Sequence, residues 1–183
     1  MNYDLFRDIN DLSGNGAVDS LMKFSAQYLI FIVFAVVGLL CLDQLRRRRF
    51  TPVLGTGAGL VLTFLLGRLA GALHSERRPF QAHHVHELVA HAAGQSFPSD
   101  HATAAFGVAL AAFVFLSRRW GVVLFVLALL IGFARVYVGV HYPGDIGGGL
   151  LAAVVGVGIV AVLARRWSPA RSDRSVPRPM TGR

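Results

Sequence analysis

Three short stretches hold side chains whose types and spacing suit chemistry: "ERRPF" (Glu76–Phe80), "SFPSDH" (Ser96–His101) and "RVYVGVHYPGD" (Arg135–Asp145). Together they supply what phosphoryl transfer needs. A phosphate's charge must be neutralised, and the planar arginine fork matches its oxygens two at a time. Arg78 and Arg135 come from different stretches, as a clamp requires. "PSDH" opens an apolar run and so presents a helix N-terminus, whose unpaired N–H groups and partial positive charge attract anions. The Ser99 hydroxyl adds a donor there. His101 and His141 have different neighbours and can divide the roles of acid and nucleophile. Asp145 follows His141 by four residues, near enough to accept its ring N–H and fix its tautomer. Each residue alone has a plainer reading. Arg77 and Arg78 could anchor a helix end at lipid headgroups, Ser99 and Asp145 could be N-caps, and His141 could be an interfacial hydrogen-bonding residue. Only the set is complete for one reaction.

Composition and run length predict that membrane helices carry this set. The 183-residue chain is 54% hydrophobic and 15% charged, with a mean hydropathy of +0.55, too little polar surface for a soluble domain. Uncharged runs cover Phe24–Leu42, Thr51–Gly67, Ala102–Ser117, Trp120–Ala134 and Ile146–Ala164. A bilayer span takes roughly 20 mostly apolar residues. The first and last runs suffice alone, and the middle three recruit Leu69–Leu73, Ser99–His101 and Val136–Val138. The expected fold is therefore all-α, a bundle of about five transmembrane helices over residues 1–165. Before it, Leu5, Ile9 and Leu12 share a helical face opposite Asp4, Asp8 and Asp11, which predicts an amphipathic interfacial helix. After it, residues 166–183 are Pro-, Ser- and Arg-rich and predict a disordered basic tail. The one cysteine, Cys41, excludes a disulfide within the chain.

The net charge of +8 does not point to nucleic acid. Twelve of the eighteen Lys and Arg residues lie at Arg46–Arg49, at Arg118 and Arg119, and from Arg165 onward, after the first, third and fifth spans. That places them on one side, which the positive-inside rule makes cytoplasmic, where they also attract anionic lipid. All seven histidines and eight of the ten acidic residues fall on the opposite side. One face, outside the cytoplasm, collects the chemistry.

Arg-Pro, then Pro-Ser-x-His, then Arg, five residues, His, three residues, Asp resembles the tripartite signature of the type 2 phosphatidic acid phosphatase superfamily. Within it, "MNYDLF", "RPFQAHHVHELV", "SFPSDH" and "GVHYPGD" are most similar to the bacitracin-resistance type of undecaprenyl-diphosphate phosphatase. The resemblance covers roughly residues 1–165. It implies that His141 attacks the terminal phosphorus and becomes phosphohistidine while Asp145 stabilises its positive form. His101 would protonate the departing lipid monophosphate and then activate water. Arg78, Ser99 and Arg135 would hold the phosphate oxygens. The resemblance implies no metal or other cofactor. It also implies a polyprenyl diphosphate substrate, a place in the bacterial inner membrane with an extracytoplasmic active site, and bacitracin tolerance through recycling of the cell-wall carrier lipid.

Two positions depart from the superfamily pattern. Gly71 stands where the first motif has a lysine; Arg77, or Arg68 one turn earlier, can supply the cation, and Arg77 is the expected one. Asp100 stands where the second motif usually has glycine, and a carboxylate there repels phosphate unless it turns away or pairs with an arginine. Two rival readings remain. The enzyme could act on another lipid phosphate (phosphatidic acid, phosphatidylglycerophosphate or a diacylglycerol diphosphate), or the chain could be a small transporter or metal carrier. The histidines of "HHVHELVAH" (His83, His84, His86, His91) invite zinc, but no cysteine and only Glu87 accompany them. They are expected to edge the substrate entrance or make ordinary loop hydrogen bonds.

Overall fold

In a computed structural model, which describes residues 2–167, helices dominate and the backbone forms no sheet. Two helices precede the spans, α1 (Asn2–Asn10) and α2 (Gly16–Gln27). The apolar helices are α3 (Leu29–Arg46), α4 (Phe50–Leu73), α6 (Asp100–Ala111, continued by a π-turn over Ala112–Leu116), α7 (Arg118–Tyr137) and α8 (Pro143–Trp167). A single turn, α5 (Pro79–Ala82), lies in the long loop between α4 and α6. Among them α3, α4, α7 and α8 are long and apolar enough to cross a membrane, and Asp100–Leu116 is a shorter apolar helix. The expected tail lies, from residue 168, outside the described residues.

The shortest of the apolar helices occupies the centre. α6 packs against α3, α4, α7 and α8, and Ala102, Ala105, Phe106, Val108, Ala109 and Ala111 are fully buried. Its neighbours carry the lipid-facing surface: Phe31, Leu39, Leu54, Leu65, Val126 and Leu151 are all largely exposed. Lipid tails are as apolar as a helix face, so close packing of small residues must hold such a bundle together. The α8 glycines do this. A Cβ at Gly149 would sit 2.8 Å from the Thr103 nitrogen, and one at Gly156 would sit 2.7 Å from the Thr63 nitrogen. α4, α6 and α8 thus meet backbone to backbone.

The first span differs from its expected bounds. The apolar run beginning at Phe24 breaks at Tyr28, so the membrane helix starts at Leu29 and continues to Arg46. The amphipathic helix α1 forms, but a third set of residues decides its position. Phe6 is buried edge-on against Tyr142, with ring centroids 5.5 Å apart. Asn10 is buried too, donating to the carbonyls of His86 (2.9 Å) and Tyr137 (2.8 Å) and accepting from the His86 N–H (2.9 Å). Leu5 and Leu12 stay exposed. α1 therefore ties the histidine-rich loop to the end of α7.

Candidate active site

The end of α7, the start of α8 and the start of α6 converge with the long loop. α7 closes at Tyr137, and the chain reverses through Gly139 at φ 88. Glycine is needed there twice over: the left-handed conformation disfavours a side chain, and a Cβ would lie 2.6 Å from the His86 carbonyl oxygen. The turn delivers His141 just before Pro143 opens α8, a first-turn position where the missing proline N–H costs nothing. Asp145 lies in the same first turn. Its Oδ2 accepts from the Tyr142 N–H (2.8 Å), from the Ser96 hydroxyl and from His141 Nδ1 (3.2 Å). Asp145 is not the N-cap itself but the third residue of α8, and its carboxylate accepts from the backbone just before the helix while facing the histidine ring.

These contacts set the protonation of His141. Its Nε2 lies 3.0 Å from Arg78 Nη1. A guanidinium only donates, so Nε2 presents its lone pair and the proton sits on Nδ1, facing Asp145. The ring is buried. Burial is the main cause that lowers its pKa from the ordinary 6.5 to about 4; the Arg135 and Arg78 charges add to this, and the Asp145 hydrogen bond opposes it. His141 is a neutral imidazole with its nucleophilic nitrogen turned to a cation.

Arg78 and Arg135 are both buried. Arg78 Nη1 also donates to the Val140 carbonyl (3.3 Å), and Arg135 Nη1 to the Ala26 carbonyl (3.4 Å). Arg78 Nε and Arg135 Nε and Nη2 are buried with no acceptor among the described residues. Each such donor costs on the order of 1–3 kcal/mol unless a partner arrives. Burial lowers the pKa of Arg78, while the Asp100 and Asp145 charges oppose the shift. Ser99 is buried and N-caps α6, accepting from the Ala102 N–H (3.4 Å), and its own N–H donates to the Asp145 carbonyl (3.2 Å). That bond joins the starts of α6 and α8. His101, half-buried in the first turn of α6, lies within electrostatic reach of His141, His91 and Arg135.

Six of the seven residues singled out from the sequence thus come together. Arg77 does not. It is exposed, and its backbone pairs with Gln95, which turns its side chain away from the one that Arg78 buries. Two further residues join the cluster. Ser96 is fully buried, bonded to Asp145 and 3.4 Å from His141 Nδ1. The His91 ring stands 6.3 Å from the His141 ring, centroid to centroid. Both lie in quoted stretches, but no spacing rule marks them. The other loop histidines diverge: His83 stacks on Tyr3 at 4.0 Å and His86 Nδ1 lies 2.7 Å from the Ser13 hydroxyl. Among the described residues no three His, Cys, Asp or Glu side chains are grouped to hold a metal ion.

A neutral histidine between two buried cations that lack ion-pair partners among the described residues suits one kind of visitor, an anion with an electrophilic centre. Comparison with known proteins agrees. The undecaprenyl-diphosphatase BcrC of Bacillus subtilis is 38% identical over 159 residues, which cover 85% of this chain and 80% of that protein. The bacitracin transport permease protein BcrC of Bacillus licheniformis is 32% identical over 157 residues, 85% of this chain and 76% of that one. The crystal structure of Aquifex aeolicus LpxE superposes with a TM-score of 0.70 at 25% identity, covering 91% of this chain and 95% of that one. The model of the PAP2 superfamily matches residues 52–169, which hold all three motifs. With those motifs at one end of a helical bundle, this chain is a multi-pass membrane protein and belongs to the PAP2 superfamily.

Proposed function

We propose that the chain removes the terminal phosphate of undecaprenyl diphosphate, giving undecaprenyl phosphate and inorganic phosphate through a phosphohistidine. The observation that carries this reading is the His141 Nε2 lone pair held against Arg78, with Arg135 Nε and Nη2 buried and without acceptors among the described residues. In the first step Arg78 exchanges Nε2 for phosphate oxygens, which frees the lone pair to attack phosphorus. The P–O bond to the lipid monophosphate breaks, and His101 gives its proton to that leaving oxygen. Nδ1–H stays bonded to Asp145, whose charge stabilises the ring as it becomes cationic. Arg78, Arg135 and the start of α6 with Ser99 carry the charge on the equatorial oxygens. In the second step a water gives its proton to His101 and attacks phosphorus, the P–N bond breaks, and its electron pair returns to Nε2.

The substrate follows from the relatives, since the three motifs accept many phosphate lipids. Among them the B. subtilis protein is named an undecaprenyl-diphosphatase, and regenerating the carrier lipid would confer bacitracin tolerance. Purified protein given a panel of lipids should release phosphate fastest from undecaprenyl diphosphate. Faster release from phosphatidic acid, phosphatidylglycerophosphate or diacylglycerol diphosphate would reassign the substrate. Because arginines neutralise the phosphate, activity should persist in EDTA; a loss restored by Zn²⁺ or Mg²⁺ would overturn this mechanism.

We place the site on the extracytoplasmic face of the bacterial cell membrane. Arg46–Arg49, Arg118, Arg119, Arg165 and Arg166 cluster at the ends of the spans remote from His141. In a Cys41→Ser background, a cysteine at exposed Ala93 should react with a membrane-impermeant maleimide in whole cells, and one at exposed Arg47 should not. Equal labelling of the two would refute the orientation.

A further inference from the structure

Arg68 is a cation without an ion-pair partner among the described residues, set within a membrane helix. It lies five residues before the end of α4, about 7 Å along the axis. Its guanidinium carbon stands 6.0 Å from the centre of the Phe64 ring, and the residue is exposed. An ionisable residue inside a membrane helix is a candidate functional residue. Gly71, one turn on, cannot supply the cation, and a Cβ there would already stand 3.0 Å from the Phe97 carbonyl oxygen.

Two cavities meet at Arg68. One, of about 240 Å³, is lined by Gly71, Gln95, Phe97, Pro98 and Asp100 beside it. The other, of about 420 Å³, is an apolar groove between α3, α4 and α6, lined by Phe34, Leu60, Phe64, Thr103 and Ala104. Gly67, Arg68 and Asp100 belong to both. Asp100 is also within electrostatic reach of Arg78 and Arg135, and the wall residues Gln95, Phe97, Pro98 and Asp100 alternate along the chain with Ser96, Ser99 and His101 of the cluster. From Leu60 to Arg68 the groove runs about 12 Å along α4. Its form is an apolar slot with a cation at the mouth, and the matching ligand is an amphiphile with an anionic group next to an apolar chain.

Building on the reading above, we propose that Arg68 binds the chain-linked phosphate of the diphosphate, the one that stays on the product, and that the groove takes the first isoprenoid units. Arg78 and Arg135, with the start of α6, then hold the terminal phosphate. Asp100, which lines both cavities and lies within electrostatic reach of Arg78 and Arg135, spaces the two phosphate positions. Arg68, rather than Arg77, stands in for the first-motif lysine.

The test uses the full-length purified protein with farnesyl diphosphate as substrate, farnesyl monophosphate as product mimic and orthovanadate as a probe of the terminal-phosphate position. Arg68→Ala should raise KM for farnesyl diphosphate and Ki for farnesyl monophosphate about ten-fold each, with a smaller fall in kcat, the pattern of lost uniform binding. Ki for orthovanadate should move less than about two-fold, and Arg68→Lys should recover most of the loss. Ala104→Phe, which fills the groove, should raise KM about ten-fold for farnesyl diphosphate and far less for methyl diphosphate, which has no chain. An unmoved Ki for farnesyl monophosphate, or an equal rise for orthovanadate, would overturn the role of Arg68. Equal effects of Ala104→Phe on both diphosphates would overturn the groove. If the wild type released no phosphate from any prenyl diphosphate, the enzymatic reading would fall. Calorimetric binding of farnesyl monophosphate to the wild type and to Arg68→Ala would still decide whether Arg68 takes a lipid phosphate.

Discussion

Replacing His141 with alanine should abolish phosphate release, with a fall in kcat of more than about 10⁴-fold, because its Nε2 is the nitrogen assigned to form the covalent intermediate. The ring is buried, its Nδ1 is committed to Asp145, and its Nε2 is the nitrogen turned towards the arginines. A residual rate above about a tenth of wild type, in protein that elutes as the wild type does, would remove His141 from the nucleophile's role. The pH profile checks the same assignment. An ordinary histidine loses its lone pair below about pH 6.5. His141, held to about 4 mainly by burial, keeps it. The acid limb of kcat/KM due to this residue should therefore lie well below pH 6. The sign for stability is opposite. Between about 4 and 6.5 the unfolded chain takes up a proton at this residue that the folded chain refuses. Its contribution to stability is present above that window and falls as pH drops through it.

His101→Ala should slow turnover of the prenyl diphosphate by about 10²–10⁴-fold, the usual worth of a general acid and base. The two steps separate with an activated substrate. p-Nitrophenyl phosphate expels a stable anion and needs no acid, whereas hydrolysis of the phosphoenzyme still needs a base. The variant should therefore give a burst of p-nitrophenol equal to the enzyme present, followed by slow release of phosphate. The acid-labile, base-stable phosphoenzyme should accumulate. Equal losses on both substrates with no burst would mean that His101 only shapes the site. Its place in the first turn of α6, within electrostatic reach of His141 and Arg135, is what the assignment rests on.

Features that depend on local period and on chemistry at short range were legible in the chain before folding. Five apolar runs, followed in turn by arginine clusters and by histidine- and carboxylate-bearing loops, are enough to define the apolar helices and their alternation, because a bilayer admits few other solutions for such segments. The His141–Asp145 pairing was legible because four residues across a helix start bring two side chains together. The partnership of Arg78 with Arg135 followed from chemical need. Tertiary structure decided the rest. Arg77 and Arg78 are adjacent and identical in type, and only the pairing of this backbone with Gln95 shows which one is buried against His141. Successive side chains of an extended segment point to opposite sides, and sequence does not reveal which side faces the site. Ser96 reaches Asp145 from 49 positions away and Asn10 reaches His86 from 76; no periodicity encodes contacts that depend on how helices are stacked. The same holds for the place of α6, which the sequence reads as one apolar run among five and which is shorter than the other four helices. It crosses the centre of the bundle because α3, α4, α7 and α8 surround it and replace the lipid that a longer helix would meet.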